Sequence, residues 1–230
     1  MTISVPKNLL KRIKCTTNKD SKIVHDVKKN SLVTDDPSIS YNVYKGIPSM
    51  LTKSDGPKAQ DWNLWNSEDF HKMGDSYYKR AKGELPEKEA SKSYARLIKN
   101  KNIYSPGDHL LDIGCATGHF LRSFRKYLDP NIYYTGVDTH APFLNWGGEI
   151  YGISENCNFV HGDAMKLPFK DKSFDLTIVN LFHFFENIEL ALKESMRVTK
   201  KFLIWRTPIG EVNYIVKLVY EESFQKLGTI

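Results

Sequence analysis

Three carboxylates stand at or near the ends of short apolar runs: Asp112 in Leu110-Leu111-Asp112-Ile113, Asp138 after Ile132–Val137, and Asp163 after Asn158–Gly162. Carboxylates at strand ends accept hydrogen bonds from hydroxyls, amines and ammonium groups, which is the chemistry of holding a polar ligand. Directly after the first of these runs comes a small-residue loop, Gly114-Cys115-Ala116-Thr117-Gly118. Glycines there tolerate positive φ and let a ligand approach the bare backbone. The first amides of the helix that follows have no intrahelical partners and point into the same crevice. In an open parallel sheet this crevice lies beyond the carboxyl ends of the strands, where ligands bind.

A dinucleotide site wants G-x-G-x-x-G, and the corresponding residues are Gly114, Ala116 and His119, so that pattern fails at two of three positions. The spacing D-x-G-x-A-x-G instead suits a ligand carrying an ammonium and no phosphate. It resembles motif I of the class I S-adenosylmethionine-dependent methyltransferases, type 11-like, whose usual form is D/E-x-G-x-G-x-G. Ala116 departs from that form. Asp138 lies 24 residues beyond Gly114, near the place where an acid holds a ribose diol in Rossmann-like sites. The resemblance implies that Asp163 accepts from the adenine amino group. Leu167-Pro168-Phe169 and Ser173-Phe174-Asp175, running into a fourth strand at Leu176–Asn180, look like the "LPF…SFD" segment of the same enzymes. Taken singly, Asp138 and Asp163 read equally well as helix N-caps. Together with the loop, they make S-adenosyl-L-methionine the expected cofactor. Contacts are expected from Asp112, Gly114, Cys115, Ala116, Gly118 and His119 in the first unit, and from Asp138, Thr139, Asp163, Ala164 and Asn180 beyond it.

These residues need a particular scaffold. Strands alternate with helices from residue 105 onward, which predicts an α/β, Rossmann-like, doubly wound and mostly parallel sheet with helices on both faces. The fold normally adds two more strands, the last antiparallel, whereas Glu211–Ile230 has room for a helix or one strand; C-terminal strands are expected to be missing. Before this core, residues 61–104 read as a helical lid and linker: a helix over Phe70–Ala81 with Tyr77, Tyr78 and Arg80, then a second opened by Pro86 and running to about Ile98. In similar methyltransferases such helices cover the cofactor, and Arg80 or Tyr78 is placed at its methionine carboxylate. Packing tyrosines and a solvated arginine are the competing reading.

Residues 1–60 form a small, basic, β-rich module. Its "LL…I.C…Y.V..GIP.ML" pattern resembles the zinc-ribbon-like module that often precedes a methyltransferase domain. Of the two cysteine pairs that grip the metal in such ribbons only Cys15 is present, and a tetrahedral Cys₄ site cannot form from one thiol. No metal is expected.

Methyl transfer from a sulfonium requires the acceptor to be held close, aligned and dry. A base is needed only for a hydroxyl or a protonated amine. His183, past the fourth strand, is the candidate general base; Phe182, Phe184 and Phe185 around it suit a packing residue equally. At 230 residues and 40% hydrophobic, the chain suffices for one full core and a small second module. No stretch approaches the roughly 20 apolar residues of a membrane helix, and MTISVPKNLLKRIK lacks the apolar core of a signal peptide. Three widely spaced cysteines offer no disulfide framework, so a cytoplasmic setting is expected. The net charge of +6 resides wholly in residues 1–30. That segment lacks interleaved aromatics, so a solvated basic face is favoured over a nucleic-acid site. The expected activity is methyl transfer to a small-molecule or glycan-precursor acceptor. The alternatives are a nucleic-acid or protein methyltransferase guided by the basic segment, or a non-catalytic cofactor-binding scaffold. Asn180-Leu181-Phe182-His183 is unlike the Asn/Asp-Pro-Pro-aromatic motif that often accompanies base methylation.

Overall fold

The computed structural model of the chain describes residues 3–18, 20–51, 68–180, 185–209 and 212–219. The amino-terminal module opens with a short helix, α1 (Lys7–Arg12), where the sequence shows only a mixed apolar and basic stretch. Four strands follow, β1 (Ile23–Asp26), β2 (Ser31–Thr34), β3 (Ser40–Tyr44) and β4 (Ile47–Pro48), paired antiparallel in that order. Cys15 is buried; its Sγ accepts from the Asn18 amide at 3.3 Å and lies 3.2 Å from the hydroxyls of Tyr41 and Thr17. Among the described residues no cluster of His, Cys, Asp or Glu is arranged to hold a metal.

Two helices come next, α2 (Glu68–Lys82) and α3 (Glu89–Asn100). The second starts three residues after Pro86. Lys88 keeps an extended ψ of 144°, and Ser91 Oγ donates to its carbonyl at 2.8 Å while Lys126 pairs with Glu87. Buried Tyr94, Ala95 and Ile98 line the inner face of α3.

The core then alternates strand and helix: β5 (His109–Ile113), α4 (His119–Tyr127), β6 (Tyr133–Asp138), α5 (Ala141–Tyr151), β7 (Cys157–His161), β8 (Phe174–Asn180), α6 (Ile188–Val198) and β9 (Thr199–Ile209). Leu110, Leu111 and Ile113 of β5 are fully enclosed, as a strand covered by helices on both faces of a parallel sheet must be. On α4, Phe120, Leu121 and Phe124 face the sheet, and buried Ser123 meets Ser91 of α3 at 2.8 Å. One more strand, β10 (Val212–Val219), returns antiparallel along β9, giving the sheet order β10-β9-β8-β5-β6-β7. The room for one strand after residue 210 is therefore used by a strand, paired antiparallel with β9. Strand order reverses between β5 and β8, so the crevice of an open α/β sheet falls there.

The amino-terminal module joins this core. Leu9, Ile13, Leu32, Tyr41, Val43 and Met50 share one buried cluster with Val160, Leu167 and Phe169. The segment after β4 lies along β7: the Met50 amide donates to the His161 carbonyl at 2.8 Å, and Ser49 Oγ meets His161 Nδ1 at 2.8 Å. That contact covers a sheet edge whose backbone groups would otherwise be open to pairing with another chain.

Candidate active site

The loop between β5 and α4 is held by its own backbone. The amides of Gly114 and Cys115 both donate to the Val137 carbonyl, at 2.9 and 3.2 Å, which ties the loop to the end of β6. Gly114, Ala116 and Gly118 have φ of +72°, +50° and +68°. The two glycines are there for different reasons. A Cβ at Gly114 would meet nothing within 4 Å, so that face of the loop is open; a Cβ at Gly118 would lie 2.9 Å from the Phe159 ring. Ala116 adopts the left-handed region at a cost of roughly 1 kcal/mol, the physical reason why glycine suits that position of the motif.

Asp138 braces the loop from β6. Its Oδ2 accepts from the Ala116 amide at 2.8 Å and its Oδ1 from the His140 amide at 2.9 Å. Burial raises its pKa above the ordinary carboxylate value, and the backbone donors oppose that shift. Asp112 is only 2% exposed, and its Oδ2 accepts from the Tyr134 hydroxyl at 2.8 Å. Burial pushes this carboxyl up to about 7, opposed by the Tyr134 bond and reinforced by the charge of Asp138. Asp163, past β7, accepts from the Met165 amide at 2.8 Å within a turn closed by Lys166. Neither Asp138 nor Asp163 is a helix N-cap, since His140 precedes α5 and no helix directly follows Asp163; each instead closes a turn by accepting from the amide two residues on. Thr139 is exposed, with its carbonyl accepting from His161 Nε2 at 3.0 Å; Ala164 is buried.

Helix α2 packs over His119. Tyr77 stacks on its ring, centroids 4.6 Å apart and planes 2° from parallel. His119 is buried, which, with the nearby charges of Lys88 and Arg80, pushes its pKa down to about 3 and keeps it neutral. Among the described residues its Nδ1 has no partner, nor has the buried Thr117 Oγ1. Arg80 Nη1 donates to the Ser76 carbonyl at 3.1 Å and to Ser76 Oγ, while its buried Nε has no partner among the described residues. Tyr78 packs edge-on to Trp146, with Lys82 on its ring; Tyr77 is the tyrosine at the crevice. Arg122 of α4 fixes the α2–α3 connection, donating to the carbonyls of Arg80 at 3.0 Å and Leu85 at 2.7 Å.

Behind the lid, Lys88 sets its ammonium 4.2 Å over the Tyr77 ring. Burial, then the charges of Arg80 and Arg206, lower its pKa to about 8. Arg206 stands opposite Asn180 across β8 and β9, its Nη1 3.4 Å from Asn180 Oδ1. Tyr94 donates to the Val179 carbonyl at 2.8 Å.

The structure thus gathers Asp112, the Gly114–His119 loop, Asp138, Thr139, Asp163 and Ala164 at the carboxyl ends of three adjacent strands. Asn180 lies at the end of the neighbouring β8, and α2 brings Arg80. His183 lies outside the described residues. Lys88, Arg206, Tyr77 and Tyr134 escaped the sequence reading. Only Arg206, a charge at the end of an apolar strand, carried a visible signal. The orphaned Thr117 Oγ1, His119 Nδ1 and Arg80 Nε, beside an open glycine face, fit a polar ligand with amine, hydroxyl and carboxylate groups.

Comparison with known proteins agrees with this geometry. Residues 111–202 match the methyltransferase domain family. Demethylmenaquinone methyltransferase of Staphylococcus aureus is 36% identical over 106 residues, 46% of this chain and 44% of that protein. The match spans less than half the length of that curated relative. Among solved structures, the YcgJ protein of Bacillus subtilis is 27% identical with a TM-score of 0.42, covering 50% of each chain. A SAM-dependent methyltransferase of Aquifex aeolicus is 22% identical with a TM-score of 0.41, covering 47% of this chain and 61% of its own. Over residues 111–202 the chain is thus similar to a methyltransferase domain, and this stretch is built on the mostly parallel, Rossmann-like sheet.

Proposed function

We propose that this chain binds S-adenosyl-L-methionine across the carboxyl ends of β5, β6 and β7, beside the crevice between β5 and β8, and methylates a small-molecule acceptor. The observation that carries the reading is the joint placement of Asp112, Asp138 and Asp163 around a loop with one open glycine face. Asp138 takes the ribose hydroxyls on the lone pairs its two amide donors leave free. Asp163 takes the adenine amino group, and Arg80 the methionine carboxylate through its unpartnered Nε. Asp112 faces the ammonium. Tyr77, stacked on neutral His119, shields the crevice from water. The bound cofactor supplies an electrophilic methyl group for in-line displacement by the acceptor. His183 is the proposed base wherever the acceptor must lose a proton. If His183→Ala keeps full turnover on the true acceptor, that role is removed.

A small acceptor is supported by the relative whose name gives demethylmenaquinone as substrate. Of the basic segment, Arg12 is committed to structure, donating to the Ser173 and Asn8 carbonyls. The test is calorimetric titration of the full chain with S-adenosylmethionine, S-adenosylhomocysteine and NAD, alongside Asp138→Ala. Micromolar binding of the two sulfur ligands, lost in the variant, is expected. Absence of binding by folded protein overturns the proposal.

A further inference from the structure

We propose that Lys88 and Arg206 form an anion-reading subsite beside the cofactor, so that the acceptor carries a carboxylate or phosphate group. The inference rests on the cofactor reading above and deepens it.

Three cations lie on neighbouring parts of the fold: Arg80 is on α2 with Tyr77, over whose ring Lys88 lies, and Tyr94 of α3, the helix that Lys88 precedes, bonds to Val179 of β8, next to the Asn180 that Arg206 of β9 meets. None of them has an ion-pair partner among the described residues. Arg80 bonds only to Ser76, Arg206 to Asn180, and Lys88 meets the face of Tyr77. Other half-buried cations of this protein are treated differently. Arg197 holds both Glu194 and Asp171, and Lys201 holds both Asp108 and Asp175. Like charges brought together away from water oppose one another unless an anion joins them. Neither buried acid of the site forms an ion pair with them among the described residues: Asp112 accepts from Tyr134, and Asp138 from the Ala116 and His140 amides. The cofactor brings one carboxylate, which Arg80 takes. Lys88 and Arg206 are left over: Arg206 stands beside Asn180, the last residue of β8, and Lys88 lies over the Tyr77 ring. An ammonium and a planar guanidinium together are suited to an oxyanion. The Tyr77 ring occupies one face of the ammonium and leaves its remaining N–H donors for the ligand.

The experiment uses the full chain saturated with S-adenosylhomocysteine and three probes, phenyl phosphate, benzoate and benzyl alcohol, followed calorimetrically. At least one anion is expected to saturate where the alcohol does not. Whichever binds more tightly tells phosphate from carboxylate. Lys88→Gln and Arg206→Gln should each weaken that anion roughly tenfold or more while leaving S-adenosylhomocysteine affinity unchanged. Lys88→Arg should retain it. Without ligands, Lys88→Gln should melt above wild type, because a repelled charge has been removed; this readout needs no acceptor. The proposal is overturned if the anions bind no better than benzyl alcohol, or if neither glutamine variant changes them. It is equally overturned if those variants weaken S-adenosylhomocysteine as much as the anions, since the cations then serve the cofactor. Failure of wild type to bind S-adenosylhomocysteine at all would sink the cofactor reading first, and is recognisable as such.

Discussion

The Tyr134 hydroxyl donates a 2.8 Å hydrogen bond to Asp112 Oδ2, and both groups are buried under the glycine loop. That single bond does not make up for lost solvation, so Asp112 titrates near 7 in the folded chain. Its protonation therefore links stability, ligand affinity and pH.

For stability the sign is fixed by the direction of the shift. The folded pKa of about 7 exceeds the ordinary value of 3.8, so the folded state binds the proton more tightly than the unfolded state. Stability contributed by Asp112 is full below about pH 4 and declines as pH rises towards 7, by about 1.4 kcal/mol per unit. Asp112→Asn, which still accepts from Tyr134, should remove this decline. Its melting temperature should exceed that of wild type at pH 8 and approach it at pH 4. A constant difference between the two proteins across that range would refute the assignment.

Ligand binding should respond in the opposite sense. An ammonium beside Asp112 favours the carboxylate, so S-adenosylhomocysteine affinity should rise as pH rises through about 7 and level off above. Asp112→Asn should flatten the profile. His119, neutral because its pKa is pushed to about 3, should contribute no step near 6.5. Calorimetry from pH 5.5 to 8.5 tests both statements.

Gly118→Ala should be costly, since the new methyl group meets the Phe159 ring at 2.9 Å and the backbone has φ of +68°. About 2–4 kcal/mol is expected from overpacking and strain together. Phe159→Leu should absorb part of the overpacking, so the double variant should lose less than the sum of the single ones. Strict additivity in urea denaturation would count against this contact.

Ala116→Gly relieves a left-handed alanine. Strain relief of about 1 kcal/mol is offset in part by the greater freedom of glycine in the unfolded chain. The expected result is a change within about 1 kcal/mol of wild type. A destabilisation above 2 kcal/mol would mean that the methyl group packs rather than strains.

Tyr41 organises the amino-terminal module around Cys15, accepting from the Thr16 amide at 2.9 Å. Tyr41→Phe leaves that amide without its acceptor and should cost about 1–3 kcal/mol. Cofactor affinity should stay unchanged, because this contact lies away from the glycine loop. Parallel denaturation and calorimetry separate the two effects.

Much of the site was legible because its demands are local. A glycine loop between an apolar strand and an amphipathic helix, with acids closing the next two strands, is written in residue types and spacing. Asp112, Asp138 and Asp163 each stand where the sequence alone puts them. Even the departure at Ala116 marked a backbone position with positive φ. The capping and ligand-binding readings of Asp138 and Asp163 could not be separated in sequence, because a carboxylate has lone pairs enough for both roles.

The rest depended on distance across the fold. Lys88, Arg206 and Arg80 share no periodicity and converge only because β9 lies beside β8 while Arg122 holds the α2–α3 connection to α4. Tyr77 rather than Tyr78 faces His119 because helix rotation is set by packing against Phe143 and Trp146. The module over residues 3–51 looked separate by composition, yet Leu9, Ile13 and Met50 enter the cluster that holds Val160 and Phe169, and Met50 bonds to the edge of β7. Strand ends and loop conformations follow from each residue's own backbone and burial preferences, so the sequence by itself determined them. Which charges meet without a counter-ion follows from the order and register of strands distant in the chain, and only the tertiary structure decided that.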